Sequence, residues 1–414
     1  MNSDRVDRRQ PRQLESSQRR HKPDYTLLML SLLLLVVGLV VIYAISPGLA
    51  VQKNVSANYF VSKQFIAILL GVFAFLFTAN VSLKFWQNIQ NQLIVLAGIS
   101  VVAVRLLGDK TNGAYRWIQI GGFSFQAVEL MKFALIIWLA TFLCRRIVYN
   151  ELGDYKKTFQ PILAVLVIIG FTVAYLQSDL GSTVVLSAIT ISMSFVSGIP
   201  LKKIGMIGVL GAIGVLLLVS STPYRRQRFT TFFNPQKDCL NEGYQACQAL
   251  IAVGSGGLFG KGFAHDVQAY GYLPEAANDS IFAIMGEKFG FLGLIAVLSA
   301  FILFFSRLKN IMLRAPDNFT RLLVAGVLGW LSAQTMINIG AMIGLLPIKG
   351  ITLPFLSYGG TSVVFVTAAV GLVFNISRYT LYDNGSATER GSHDNYSQRR
   401  GNGRTHHAYL SRRK

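Results

Sequence analysis

Long apolar stretches alternate with short polar ones along the chain, and the apolar stretches set its architecture. The first, at 25–45, reads YTLLMLSLLLLVVGLVVIYAI without a charge. Nine more follow near 62–80, 88–107, 128–146, 161–177, 181–198, 204–221, 280–305, 319–345 and 358–377. A hydrocarbon core roughly 30 Å thick takes about 20 apolar residues of helix to cross. Backbone groups inside it must be satisfied within the segment, which selects helices. The pattern predicts an all-α, polytopic integral membrane protein with about ten transmembrane helices and one large extracytoplasmic loop. The stretch at 25–45 is too long for a cleaved signal peptide, follows a polar arm and precedes no clear small-residue cleavage site.

The polar segments divide the rest. Residues 1–24 and 383–414 are basic and poor in apolar residues, which predicts disordered tails on either side of a membrane domain at 25–382. No internal repeat is evident. Most connections are short, but 222–279 runs to nearly sixty residues rich in Gly and aromatics. A patterned loop of that length is more often functional than passive. Its stretch 243–253 has the spacing of an amphipathic helix lying at the membrane interface. Two shorter loops, 108–126 and 346–360, bring polar groups to the same side.

Charge fixes the orientation. The net charge is +20, while only 14% of residues are charged and 52% are hydrophobic. The basic residues gather in both tails and in the loops holding Arg145, Arg146, Lys156, Lys157, Lys202, Lys203, Arg307, Lys309, Arg314 and Arg321. The positive-inside rule then places both termini in the cytoplasm, consistent with an even number of spans. Basic ends beside an anionic leaflet need no nucleic acid partner, and none is expected. Cys144 reads as a plain apolar residue at a span end. Cys239 and Cys247 lie in the outward loop, where they are either oxidised to a disulfide or two unpaired small residues.

Candidate chemistry lies on the outward side. Asp109, Glu129, Asp179, Asp238, Glu242, Asp266, Glu275 and Asp279 fall there, and Glu287 lies deeper beside Lys288. Ionisable groups at membrane depth are costly and are functional candidates by default. Structural readings compete: Glu129 could pair with Lys132 three residues on, Asn278 or Asp279 could cap the eighth span, Asp179 could cap the sixth, and Glu287 could pair with Lys288. Lys110, Arg116, Lys132, Arg225, Arg226, Arg228, Lys261 and Lys349 face outward against the charge rule. Cations on three loops beside carboxylates, within apolar walls, suit a lipid-linked phosphate with a hydroxyl to deprotonate. His265 is the sole outward histidine, and no Cys/His metal set, Ser-His-Asp set or phosphate loop is present.

Several motifs together carry a resemblance. They are GAYRW at 113–117, QSDLG at 177–181, NP at 234–235, GYQ at 243–245, AVGSGGLFGKG at 252–262, YLPEAANDSIFAIMGEKFG at 272–290 and LPIKGITLPFLSYGGTS at 346–362. With these the chain resembles the SEDS family (shape, elongation, division and sporulation) over roughly 25–380. PEA at 274–276 and KGITLP at 349–354 are closer to its division-type branch than to its elongation-type branch. The sequence departs where the family usually reads Gln-Pro-Ser-Glu (here Gln126-Ala127-Val128-Glu129), Pro-Asp-Leu-Gly (Ser178-Asp179-Leu180-Gly181) and His-Thr-Asp-Phe (Ala277-Asn278-Asp279-Ser280).

The resemblance implies an inverting peptidoglycan glycosyltransferase that polymerises lipid II at the division septum of the cell membrane. It implies Asp279 as the catalytic base, and Arg116, Lys132, Lys349, Glu129 and Ser357 as substrate-binding residues. No cofactor is demanded, although a divalent cation, Mg2+ or Mn2+, could assist. The implied partners are a class B penicillin-binding transpeptidase and other membrane proteins of the division machinery. Two rivals share the apolar groove and the cations: a lipid II flippase, which would favour charges near midplane, and a non-catalytic scaffold, which leaves the outward carboxylates unexplained.

Overall fold

The computed structural model describes residues 22–111, 114–121, 123–220, 226–227, 231–233, 235–241, 243–263 and 267–380. The N-terminal arm up to 21 and the tail from 381 lie outside them, as do Arg225, Arg228, Glu242, His265 and Asp266. Among the described residues, ten helical spans are long and apolar enough to cross a membrane. In chain order the helices are α1 (Tyr25–Lys53), α2 (Tyr59–Asn80), α3 (Leu83–Leu107), α4 (Ala127–Val148), α5 (Gln160–Phe171), α6 (Leu180–Ser197) and α7 (Leu201–Ser220). Then come the short α8 (Tyr244–Ser255), α9 (Ile281–Leu313), α10 (Asn318–Met342) and α11 (Gly360–Ser377). Two π-helical turns, Tyr155–Phe159 and Thr172–Leu176, extend α5 into a 22-residue span.

Burial sorts the spans. In α4, α10 and α11, 78%, 72% and 78% of the apolar window is buried, whereas α7 buries only 17%. The outer spans therefore present Leu, Val and Phe outward, as a lipid-facing surface does. Where α2 meets α11 the backbones approach closely: Thr78 Oγ1 donates to the Ala368 carbonyl at 2.8 Å, and Gly371 leaves room for that hydroxyl. Small residues permit such contacts where no hydrophobic effect drives helices together.

The 108–126 loop holds a structure that its polar composition hid. It is a three-stranded antiparallel meander of β1 (Asp109–Thr111), β2 (Ala114–Ile120) and β3 (Phe123–Gln126). Its alternating AYRWIQI run and the left-handed Gly121 (φ +56°) are strand and turn features. β3 leads straight into α4 and is tied to the start of α11: Thr361 Oγ1 donates to the Ser124 carbonyl at 2.6 Å and accepts from Gln126 N at 3.2 Å.

Two further features shape the long loop. Cys239 and Cys247 form a disulfide with Cα atoms 5.7 Å apart, and Cys247 lies within α8, which packs on α9. α9 is broken at Gly290 (φ 66°, ψ −167°), and the glycine-rich 256–262 segment fills the break. Lys261 N donates to the Glu287 carbonyl at 2.8 Å, Gly262 N to the Lys288 carbonyl at 3.0 Å, and Phe291 N to the Gly257 carbonyl at 2.9 Å. Glu287 is held across the fold, while Lys288 Nζ sits 5.7 Å over the Phe263 ring. The Glu287 carboxylate accepts from Lys261 Nζ at 2.9 Å and from the backbone N–H groups of Val267 and Gln268 at 3.1 and 3.0 Å. Adjacent helical residues diverge in direction, so a buried carboxylate finds its partners across the fold.

Candidate active site

A cleft of about 1130 Å³ opens among the loops that join α3 to α4, α7 to α9 and α10 to α11. Arg116, Glu129, Lys132, Asp279 and Lys349 all line it. Ser357 does not. It is buried, its hydroxyl donates to the Asn278 carbonyl and accepts from Leu353 N at 2.8 Å, and so it shapes the 353–358 turn.

Asp279 lies in the tight turns that precede α9. The N-cap position belongs to Ser280, whose side chain makes no cap hydrogen bond. Three consecutive carbonyls in this segment are held from outside it. Ala277 O accepts from Tyr358 N at 2.8 Å, Asn278 O from the Ser357 hydroxyl, and Asp279 O from Asn338 Nδ2 at 2.7 Å. Gly350 fixes how close the cationic side comes. A Cβ placed on it would lie 2.8 Å from Arg116 Nη1 and 3.5 Å from Asp279 Oδ2. The guanidinium and the carboxylate thus converge over one backbone atom, beside Lys349.

Arg116 is carried by β2, which packs on α3 through Arg105 stacked 4.3 Å over the Tyr115 ring. Arg116 Nε lies 3.9 Å from Asp179 Oδ2. Asp179 does cap its helix, accepting from Ser182 N at 3.0 Å and from the Ser182 hydroxyl at 2.8 Å. One residue earlier, Ser178 has φ +56°. Proline, with φ held near −65°, could not adopt that conformation. The departure at this position therefore comes with its own backbone geometry. Glu275 and Phe355 also have positive φ, at 52° and 68°. Strained residues on either side of Asp279 mark segments held in place by their surroundings.

Glu129 and Lys132 do pair, at 2.7 Å, and both are buried. The ammonium also donates to Gln334 Oε1 at 3.1 Å and sits 5.5 Å over the Trp330 ring. Gln334 accepts from Trp330 Nε1 at 2.8 Å and donates to the Thr352 carbonyl at 2.9 Å.

Several cleft residues were not singled out by sequence. Lys63 of α2 sits 4.5 Å over the Tyr59 ring, and the start of an apolar helix hid it among membrane-edge lysines. Tyr358 packs edge-on against Phe60; burial, with Tyr59 as a lesser cause, pushes its phenol up to about 12. It therefore presents a neutral hydroxyl at physiological pH. Gln334 lies inside a span, where an amide carries no charge to attract notice. Asn241, Tyr244 and Gln245, from the segment that the disulfide closes, also line the cleft, as does Pro235 just before it.

Comparison with known proteins agrees with this architecture. The family model described as "Cell cycle protein", for FtsW, RodA and SpoVE, matches residues 25–382. Stage V sporulation protein E of Bacillus subtilis (strain 168) is 38% identical over 362 residues, 87% of this chain and 98% of that protein. The probable peptidoglycan glycosyltransferase FtsW of Saccharophagus degradans is 37% identical over 359 residues, 86% of this chain and 92% of that protein. A solved structure from work on polymerization and crosslinking by a peptidoglycan synthase complex superposes with a TM-score of 0.70 at 24% identity, covering 87% and 99% of the two chains. Rod shape determining protein RodA of Thermus thermophilus gives 0.61 at 24% identity, covering 87% and 98%. At that identity the structural likeness establishes the fold.

Proposed function

This chain belongs to the FtsW, RodA and SpoVE family of cell cycle proteins, and on that premise we propose that it is a peptidoglycan glycosyltransferase polymerising lipid II at the division septum. The observation that carries the reading is the convergence of Asp279 and Arg116 over Gly350, beside Lys349, in one cleft. The reaction has two electrostatic needs: a base on the acceptor hydroxyl, and positive charge where the leaving pyrophosphate develops its own.

Asp279 takes the proton from the 4-hydroxyl of the acceptor GlcNAc. The oxygen attacks the anomeric carbon of the donor from the face opposite its pyrophosphate. The bond to the pyrophosphate breaks, and its electron pair leaves with undecaprenyl pyrophosphate, toward Arg116 and Lys349. An α-linked donor becomes a β-1,4 glycan in one inverting step. Lys132 is engaged by Glu129 and Gln334, so it steadies the wall more than it meets the leaving group. Among the described residues no three His, Cys, Asp or Glu side chains gather as metal ligands, whereas a Mg2+ ion is commonly held by one or two carboxylates together with substrate phosphates. No step here runs through one.

The loop charges support an orientation with both tails cytoplasmic and the cleft extracytoplasmic. The same reading makes 25–382 the membrane domain, and 1–24 and 383–414 cytoplasmic tails. A class B penicillin-binding transpeptidase is the expected partner, and the relative solved in work on coupled polymerization and crosslinking supports that expectation.

The test uses purified chain and labelled lipid II in detergent, with and without the transpeptidase, in the absence of other glycosyltransferases. Glycan ladders are expected, because polymerisation needs no leaflets. Unchanged lipid II in both reactions, together with leaflet transfer in reconstituted vesicles, would favour a flippase.

A further inference from the structure

Asn338 is buried in the middle of the fold, yet both of its donor hydrogens are committed to carbonyls on other segments. Its Nδ2 donates to Asp279 O and to Ile351 O, each at 2.7 Å. One carbonyl belongs to the proposed base. The other lies two residues after Lys349 and next to Gly350, the residue over which Arg116 and Asp279 converge. One amide therefore bridges the segment that carries the base and the segment that carries a leaving-group cation.

Gln334 repeats the arrangement one turn earlier on α10. Its Oε1 accepts from Lys132 Nζ, while its Nε2 donates to the Thr352 carbonyl at 2.9 Å and the Thr352 hydroxyl at 3.2 Å. Residues four apart share a helix face. α10 thus presents two amides to consecutive residues, Ile351 and Thr352, of one loop.

The segment carrying the base makes turns of its own, Asn278 N and Ser280 N donating to the Glu275 carbonyl at 3.0 and 3.2 Å. α9 begins without a side-chain cap, and Glu275, four residues before Asp279, is held at a positive φ. Without Asn338, the Asp279 peptide would keep the contacts through Ala277 and Asn278 but lose its direct tie to Ile351.

Resting on the glycosyltransferase reading above, we infer that Asn338 is a positioning residue that sets the spacing between the base Asp279 and the Lys349–Ile351 segment. It touches no substrate, since it is not part of the cleft lining. Its effect falls on the geometry of the reacting groups, where a displacement of about 1 Å can cost on the order of 100-fold in rate. Substrate binding, spread over the whole cleft, changes little.

The experiment measures glycan polymerisation by the full-length chain in detergent over a range of lipid II concentrations. Wild type is compared with Asn338→Ala, which removes both donors, and Asn338→Asp, which keeps size and shape but changes the donor chemistry. Rates are normalised to monodisperse protein from size-exclusion chromatography. The expected result is a saturating rate reduced at least about 10-fold, with half-saturating lipid II within about 3-fold of wild type. If Asn338→Ala does not accumulate as folded protein, Asn338→Asp carries the same test. Wild-type kinetics in the variants, or a rate loss that disappears after normalisation, would overturn the inference and leave the glycosyltransferase reading standing. A wild-type chain that makes no glycan would overturn both.

Discussion

Helix α4 carries an ion pair at each end, and the two differ in everything but length. At its start Glu129 and Lys132 lie 2.7 Å apart, almost wholly buried in the cleft wall. At its other end Arg146, in the last turn, and Glu151, beyond it, lie 2.5 Å apart, and Lys157 approaches Glu151 at 2.6 Å, all reached by solvent. The exposed cluster gains little, because water and salt screen it. The buried pair is held against a desolvation cost of several kcal/mol per ion. The distance between charges therefore says little about what a pair does; burial and secondary contacts decide. Gln334 and Trp330 complete the buried pair, and through Gln334 it reaches the loop beside Lys349. The exposed cluster organises only its own turn, together with Asp154, which accepts from Lys156 N and Lys157 N.

The comparison predicts that charges at the cleft end are indispensable and those at the other end replaceable. The largest effect is expected at Asp279. Asp279→Asn keeps the side-chain shape and all three carbonyl contacts, which are accepted by backbone oxygens. It should insert and fold normally while losing polymerisation by about 10²–10⁴-fold, the contribution of a general base. A product gel with equal amounts of folded protein measures this, and wild-type activity would end the assignment of the base.

Next comes the buried pair itself. Lys132→Met leaves the Glu129 carboxylate buried without its counter-ion and should destabilise by about 3–5 kcal/mol. The double change Glu129→Gln with Lys132→Met should recover much of that loss. Thermal unfolding in detergent checks the cycle, and additive effects would mean the two residues do not act as a pair.

A smaller effect is expected for Lys349→Ala, which removes one of two cations near the leaving group. Polymerisation should fall by about 10–100-fold, with Arg116 still present. The smallest effect belongs to the far end. Glu151→Gln should leave polymerisation unchanged. Hydrogen bonds from Lys157 first and Arg146 second hold the Glu151 carboxyl below its ordinary range. A depressed folded pKa stabilises above the unfolded value and ceases to do so as pH falls through the folded one. Any difference in melting between wild type and Glu151→Gln should therefore be present at neutral pH and vanish in acid.

The spans were legible in the sequence because a bilayer imposes both length and composition, and each is a local property. The cleft charges were legible for a similar reason: Arg116, Lys349 and Asp279 stand out against apolar neighbours. What remained hidden depends on distant partners. Asn338 and Gln334 are neutral amides in a span, and their role exists only once Asp279, Lys132 and the 351–352 loop surround them. The break at Gly290 is visible only with the 256–262 segment lying in it. The meander was masked by the polar residues that mark a loop. The choice left open at Cys239 and Cys247 is closed by geometry that no spacing rule supplies.

Gly350 has a consequence for pharmacology and for evolution alike. It combines a left-handed backbone (φ +63°) with a space that a single methyl group would fill between Arg116 and Asp279. An alanine there would set its methyl carbon 2.8 Å from Arg116 Nη1 on a backbone that L-residues rarely adopt, so the guanidinium would have to move. For an enzyme working through those two side chains, resistance to a ligand wedged in that gap could not arise by enlarging the residue at 350. It would have to come from the walls farther out. A compound anchored in this gap would meet a surface that mutation has little freedom to remodel.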